Sequence, residues 1–229
     1  MNKLKTVSLT KIYQPDIIAV EDFSYEIKEK EIVIILGPSG SGKSTLLNML
    51  ALLDKPTKGE ILYNGEDITN FSEKEAAYLR NTTFGFIFQF FNLIPELNIL
   101  ENIFLPLWIK EKKHNISYYR EKALGLLKEF RLEQKLNSYP NQLSGGEKQK
   151  ISICRSLICN PDIIFADEPT GNLDKDSSEE VIEMIRQLNK NTEKTFVIAT
   201  HNENFLKIAS KVVYLKNGKI INTMIKKGI

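Results

Sequence analysis

The sequence predicts an α/β fold, a mostly parallel β-sheet with helices on both faces. Three observations carry this expectation. The short apolar runs EIVIIL (31–36), DIIFA (162–166) and TFVIAT (195–200) have the pattern of strands buried on both sides. Helical patterns follow two of them, from about Lys43 to Leu53 and from about Ser177 to Leu188. The chain has 229 residues, 42% of them hydrophobic and 26% charged, which supplies enough apolar mass for a core.

The elements follow in order. LKTVSLTKIY and AVEDFSYEI alternate as strands do. EIVIIL precedes a glycine-rich segment, and a helix follows. GEILYNGEDI carries an Asn64-Gly65 turn between two strand-like halves and reads as a hairpin. TFGFIFQF places Phe84, Phe86, Phe88 and Phe90 on alternate positions of a strand that Gln89 ends. Residues 97–158 read mainly as helices, with breaks at Pro106, Pro140 and Asn141, inserted into the α/β core. The strand DIIFA, a helix, the strand TFVIAT, a short helix and the hairpin VVYLKNGKII complete the chain. There is no internal repeat.

Composition excludes several classes. A net charge of +2 gives no case for nucleic acid as a partner. The basic run Lys110–His114 is short and reads as a solvated loop. Cys154 and Cys159 stand about 140° apart on a helix, and no second pair completes a zinc site. Reduced thiols and a cytoplasmic setting fit them. MNKLKTVSLT lacks the apolar segment of a signal peptide, and no run is long enough to span a bilayer.

GPSGSGKS (37–44) matches G-x-x-x-x-G-K-[ST] in full, with a buried strand before it and a helix after it. Glycines let successive N–H groups curl toward phosphate oxygens, and the helix N-terminus adds more donors. Lys43 supplies a cation for the β- and γ-phosphates, Ser44 a hydroxyl for Mg²⁺, and Thr45 reaches the α-phosphate. DIIFADE ends a strand with Asp167-Glu168, where α/β sheets bind ligands. Beside a phosphate loop, Asp167 holds Mg²⁺ and Glu168 orients or deprotonates the attacking water. His201 follows a third core strand and can meet a γ-phosphate.

LSGGEKQK (143–150) starts a helix whose buried stripe is Ile151, Cys154 and Ile158. Ser144 and Glu147 have capping-box spacing. That leaves Gly145 and Gly146 unexplained, since each costs about 1 kcal/mol in a helix relative to alanine.

GPSGSGKST, Gln89, LSGGE, FADEPTGNLD and ATH occur in this order with suitable gaps. With them the chain resembles the ATP-binding subunit of ABC transporters over essentially its whole length, and LSGGE makes the resemblance specific. GFIFQFFNLIPELNILENIFLPL and ADEPTGNLD are similar, more narrowly, to the lipoprotein-releasing, macrolide-exporting and antimicrobial-peptide-resistance ATPases. A cell-division ATPase belongs to the same subgroup.

The resemblance implies a P-loop NTPase with a RecA-like core (about 1–92 and 159–229). An N-terminal antiparallel β-subdomain and an inserted helical subdomain (about 93–158) complete it. It implies that Tyr13 stacks on adenine and that Gly37, Pro38, Ser39, Gly40, Ser41, Gly42, Lys43, Ser44 and Thr45 cradle the phosphates. Ser44, Gln89 and Asp167 hold Mg²⁺. Glu168, His201 and Gln89 are catalytic. Leu173-Asp174 runs along a dimer interface. Ser144, Gly145, Gly146 and Glu147 form a second anion site, for the ATP of a partner copy. Phe90 to Leu97 borders a groove for a helix of a membrane subunit.

The expected protein is therefore an ATP hydrolase that dimerises with ATP and powers export or membrane extraction through an integral membrane permease subunit. It lies at the inner face of the cell membrane, and a periplasmic adaptor acts with the permease. The alternative is a regulatory ATPase that transmits force in cell division without transport. Three positions depart from the commonest family pattern: Glu147 for glutamine, Lys150 for arginine, and Asn202 for an acid. None removes a catalytic group.

Overall fold

The computed structural model describes residues 2–109 and 115–226. The basic run Lys110–His114 lies outside them.

Two sheets form the frame. β1 (Asn2–Tyr13), β2 (Ile17–Lys28), β4 (Lys58–Tyr63) and β5 (Glu66–Asp67) make an antiparallel sheet in the order β2-β1-β4-β5. The second sheet contains β3 (Ile32–Leu36), β6 (Phe84–Ile87), β7 (Ile163–Asp167), β8 (Thr195–Thr200), β9 (Lys211–Lys216) and β10 (Lys219–Ile225). Its order is β10-β9-β3-β8-β7-β6, parallel except for the β9–β10 hairpin.

The apolar run of β3 is explained by burial on both faces. Ile32, Ile34 and Leu36 join a core formed with the helices. Val33 and Ile35 join a second core with α1 (Lys43–Leu50) and the antiparallel sheet. Between β6 and β7 lie α3 (Ile99–Trp108), α4 (Ile116–Glu129) and α5 (Gly145–Leu157). α6 (Lys175–Thr192) follows β7, and its Val181 and Ile185 are fully buried in the helical core. Both glycine turns expected of hairpins form, with left-handed Asn64-Gly65 and Asn217-Gly218. Among the described residues no helix is long and apolar enough to cross a membrane.

Several expectations are corrected. α1 ends at Leu50, not Leu53. Leu52 turns left-handed (φ 56°), and Leu53 N–H donates back to Asn48 O at 2.8 Å, a helix-terminating motif. β6 stops at Ile87, so Gln89 lies in a turn beyond the strand. Phe88 still stacks on Phe86, but Phe90 is 73% exposed, so the four phenylalanines do not share one face. Pro106 does not break a helix; it sits inside α3, near its end. Cys159 lies beyond α5 and is not on one helix with Cys154. α6 begins at Lys175 because Asp174 caps it, accepting from Ser177 N–H at 2.8 Å. One helix was not anticipated: α2 (Glu73–Thr82), opened by a Ser72–Glu75 capping box.

Candidate active site

Parallel register brings the C-terminal ends of three strands level. Leu36 pairs with Thr200, and Asp167 with Ala199. The loop after β3 therefore meets the acids of β7 and the histidine after β8.

Residues 37–42 curl into the loop, and at two of its glycines no other residue fits. A Cβ on Gly37 would lie 2.3 Å from Leu215 O. At Gly42, φ is 99° and a Cβ would lie 2.2 Å from Ala19 O. Gly42 leads α1 without any side-chain cap, and α1's first turn holds no acid. Its free N–H groups and positive dipole end suit an anion. Ser41 Oγ is buried with no partner, consistent with a polar ligand at the loop.

Lys43 is buried, 6% exposed. It folds back to donate to Pro38 O at 3.0 Å, and its ammonium stands 3.7 Å from Glu168 Oε1. Ser44 Oγ donates to Asp167 Oδ1 at 2.9 Å. Burial pushes the Asp167 carboxyl up, and the charge of Glu168 adds to this, against Ser44 and Lys43. A hydroxyl and a carboxylate side by side are hard oxygen donors of the kind Mg²⁺ takes beside phosphates. Among the described residues no group of three His, Cys, Asp or Glu could hold a metal alone.

Glu168 is over-determined. Its Oε1 meets His201 Nδ1 at 2.9 Å, and its Oε2 accepts from Thr200 Oγ1 at 2.9 Å and from His201 N–H at 3.3 Å. Its backbone holds φ 44°, a left-handed conformation costing about 1–3 kcal/mol. Glu168 N–H to Ala199 O (2.8 Å) and Gly171 N–H to Glu168 O (3.0 Å) sustain it.

The structure thus joins Lys43, Ser44, Asp167, Glu168 and His201 in one network. Gln89 stands at its border. Its side-chain amide lies where a Cβ on Gly171 would be 2.9 Å away, and its backbone carbonyl accepts from Asn172 Nδ2 at 2.9 Å. Tyr13 lies at the end of β1. Its hydroxyl donates to Asp54 Oδ2 at 2.8 Å and interacts with Thr45, and Lys11 stands 5.0 Å from the ring centroid.

LSGGE makes its contacts elsewhere. Ser144 Oγ accepts from Glu147 N–H at 3.2 Å while Glu147 Oε2 accepts from Ser144 N–H at 2.8 Å, which completes the capping box. A Cβ on Gly145 would lie 3.4 Å from Leu173 Cδ2, ordinary contact. One on Gly146 would lie 2.9 Å from Ser177 Oγ, so Gly146 has a packing reason of its own. The three departures are accommodated. Glu147 caps, Lys150 pairs with Glu180 at 2.7 Å, and Asn202 donates to Thr170 Oγ1 at 3.2 Å.

Thr200, Asp54, Lys11 and Arg155 were missed in the sequence. Thr200 ends an apolar strand and looks there like a β-former. A cavity of about 470 Å³ lies between the core and α3, lined by Phe86, Phe88, Asn92, Leu105, Pro106 and Ile109 among others. Of the expected border Phe90 to Leu97, only Asn92 lines it.

Comparison with known proteins gives the family. A family model described as ABC transporter matches residues 20–171. An uncharacterised ABC transporter ATP-binding protein of Methanocaldococcus jannaschii, MJ1508, is 47% identical over 91% of this chain and 92% of its own. The lipoprotein-releasing system ATP-binding protein LolD of Buchnera aphidicola is 42% identical over 96% of each chain. The cassette MJ0796 of M. jannaschii, solved as a dimer, superposes with a TM-score of 0.90 at 40% identity, covering 99% of this chain and 100% of its own. A second structure of MJ0796, a post-hydrolysis state bound to ADP and Pi, gives 0.89 at 39%.

Proposed function

The chain belongs to the ABC transporter family, as an ATP-binding and ATP-hydrolysing subunit, and from that premise we propose how its own residues divide the work. The phosphate loop and the N-terminus of α1 take the triphosphate. Phosphate entry draws Lys43 from Pro38 O and Glu168 to the β- and γ-oxygens. Ser44 and Asp167, with Gln89, would hold Mg²⁺, which would supply positive charge against the charge developing on the phosphates. Glu168, released from Lys43, accepts the proton of the attacking water. His201, positioned against Glu168, holds the γ-phosphate. Tyr13 stacks on adenine.

Ser144, Gly145, Gly146 and Glu147 act on the nucleotide of a second copy, arranged head to tail. The apolar cavity beside Phe88 takes a helix of the membrane permease subunit. The cargo is a lipoprotein, peptide or drug, extracted or exported with a periplasmic adaptor. The protein works at the inner face of the membrane. Relatives named for lipoprotein release favour transport over cell-division signalling.

One observation carries the reading. The Glu168 carboxylate meets His201 at 2.9 Å and Lys43 at 3.7 Å, at the mouth of the phosphate loop. Glu168→Gln keeps the shape and removes the base. We expect ATP binding to persist and turnover to fall by about 100-fold or more. Turnover at the wild-type rate would remove Glu168 from this role.

A further inference from the structure

α5 carries LSGGE at its start and Arg155 in its last turn. The Arg155 guanidinium reaches back toward β6. Nη1 donates to Asn92 O at 2.5 Å and Nη2 to Phe91 O at 2.6 Å. Both carbonyls belong to the turn that contains Gln89. Phe91 N–H donates to Phe88 O at 3.2 Å and Asn92 N–H to Phe90 O at 2.6 Å, closing that turn on itself.

Phe91 and Asn92 are both left-handed, with φ of 61° and 50°. Asparagine tolerates this conformation; a bulky residue rarely adopts it. Such backbone persists where its surroundings over-determine it. Arg155 is placed to do so, because a planar fork presents two donors to two successive carbonyls at once. Burial pushes the guanidinium down to about 10, which leaves it charged at neutral pH. On its other side the turn is held by Asn172 and Gly171, just beyond Glu168.

We infer that Arg155 is a positioning residue for hydrolysis: it fixes the Phe88–Asn92 turn so that Gln89 is presented to the nucleotide. It also ties that turn to α5, and so to the LSGGE end, about 15 Å away along the helix axis. The inference rests on the proposed role of Gln89.

The test is steady-state hydrolysis by the full chain with Mg²⁺ and ATP, for Gln89→Ala, Arg155→Gln, Arg155→Lys and the Gln89→Ala/Arg155→Gln pair. Arg155→Gln should lower kcat by about 10-fold, with KM for ATP within about 2-fold, as for a group acting only on the reacting state. Acting through Gln89, it should add nothing to Gln89→Ala: the pair should match the single variant within about 2-fold. Adding Phe91→Gly, which adopts φ > 0 without strain, should restore part of the kcat. If Arg155→Gln does not fold, Arg155→Lys keeps the charge, loses the fork and should show the same lack of additivity. Multiplying effects in the pair, or wild-type kcat in a folded Arg155 variant, would overturn the inference. Wild-type turnover in Gln89→Ala would instead strike the Gln89 reading on which it stands.

Discussion

Thr200 Oγ1 donates to Glu168 and accepts from Asn202 N–H at 3.0 Å. It holds the carboxylate by one bond and the turn after β8 by the other. Thr200→Val keeps the shape and loses both. Turnover should fall about 10-fold, with nucleotide affinity unchanged, because the lost bond orients the base and touches no phosphate. Equal losses in affinity and rate would mean that the turn itself collapsed. Gly145 separates the two readings of LSGGE. Aspartate there adds an acid to the first turn of α5, which favours a helix by about 0.3–1 kcal/mol. Its Cβ meets Leu173 and the Asn172 carbonyl, both in ordinary contact. Gly145→Asp should therefore fold and bind ATP, yet lose turnover by charge repulsion; a helix-capping role alone predicts no loss. Gly146 is the poorer probe, since Ser177 already crowds it. Lys43, Ser44, Asp167 and Glu168 were legible because local spacing encodes them. Thr200, Arg155 and Asp54 were not, because their partners lie about 30 to 60 residues away and only the fold supplies them.

At the level of elements, β3, β7 and β8 were legible because burial on both faces leaves uninterrupted apolar runs. Element ends were harder. α1 ends through backbone geometry at Leu52, and β6 ends at Ile87, where the chain turns through Gln89. The α2 cap S-E-K-E stood in view, but the helix buries only Ala76, so no apolar period announced it. Between β1 and β7, Lys3 Nζ lies 2.7 Å from Asp162 Oδ2, which also accepts from Tyr63 Oη at 2.6 Å. Burial alone would raise the Asp162 carboxyl; Lys3 and Tyr63 outweigh it and hold it below the usual range. A lowered folded-state value means stability present above the unfolded value of about 3.9 and lost as pH falls through the folded one. Asp162→Asn should cost at most about 1 kcal/mol at pH 7, since the pair is partly in water, and less at pH 2. Urea unfolding at both pH values measures this; an equal cost at both would assign the effect to packing.

The whole molecule is a sheet covered on one side by α1 and the antiparallel sheet, and on the other by α3 to α6. The order β3-β8-β7 puts phosphate loop, acids and histidine at one edge. The helix dipole of α5 points from a different part of the surface, and its glycines meet Leu173 and Ser177 instead of the loop. On the proposed reading one chain holds two half-sites, and the similar cassette MJ0796 was solved as a dimer. In that arrangement LSGGE of one copy closes over the ATP of the other. Sedimentation of Glu168→Gln with ATP, compared with Glu168→Gln/Gly145→Asp, tests it most directly. We expect a dimer for the first and a monomer that still binds ATP for the second. A dimer that survives Gly145→Asp, or a Glu168→Gln variant that stays monomeric with ATP bound, would contradict it.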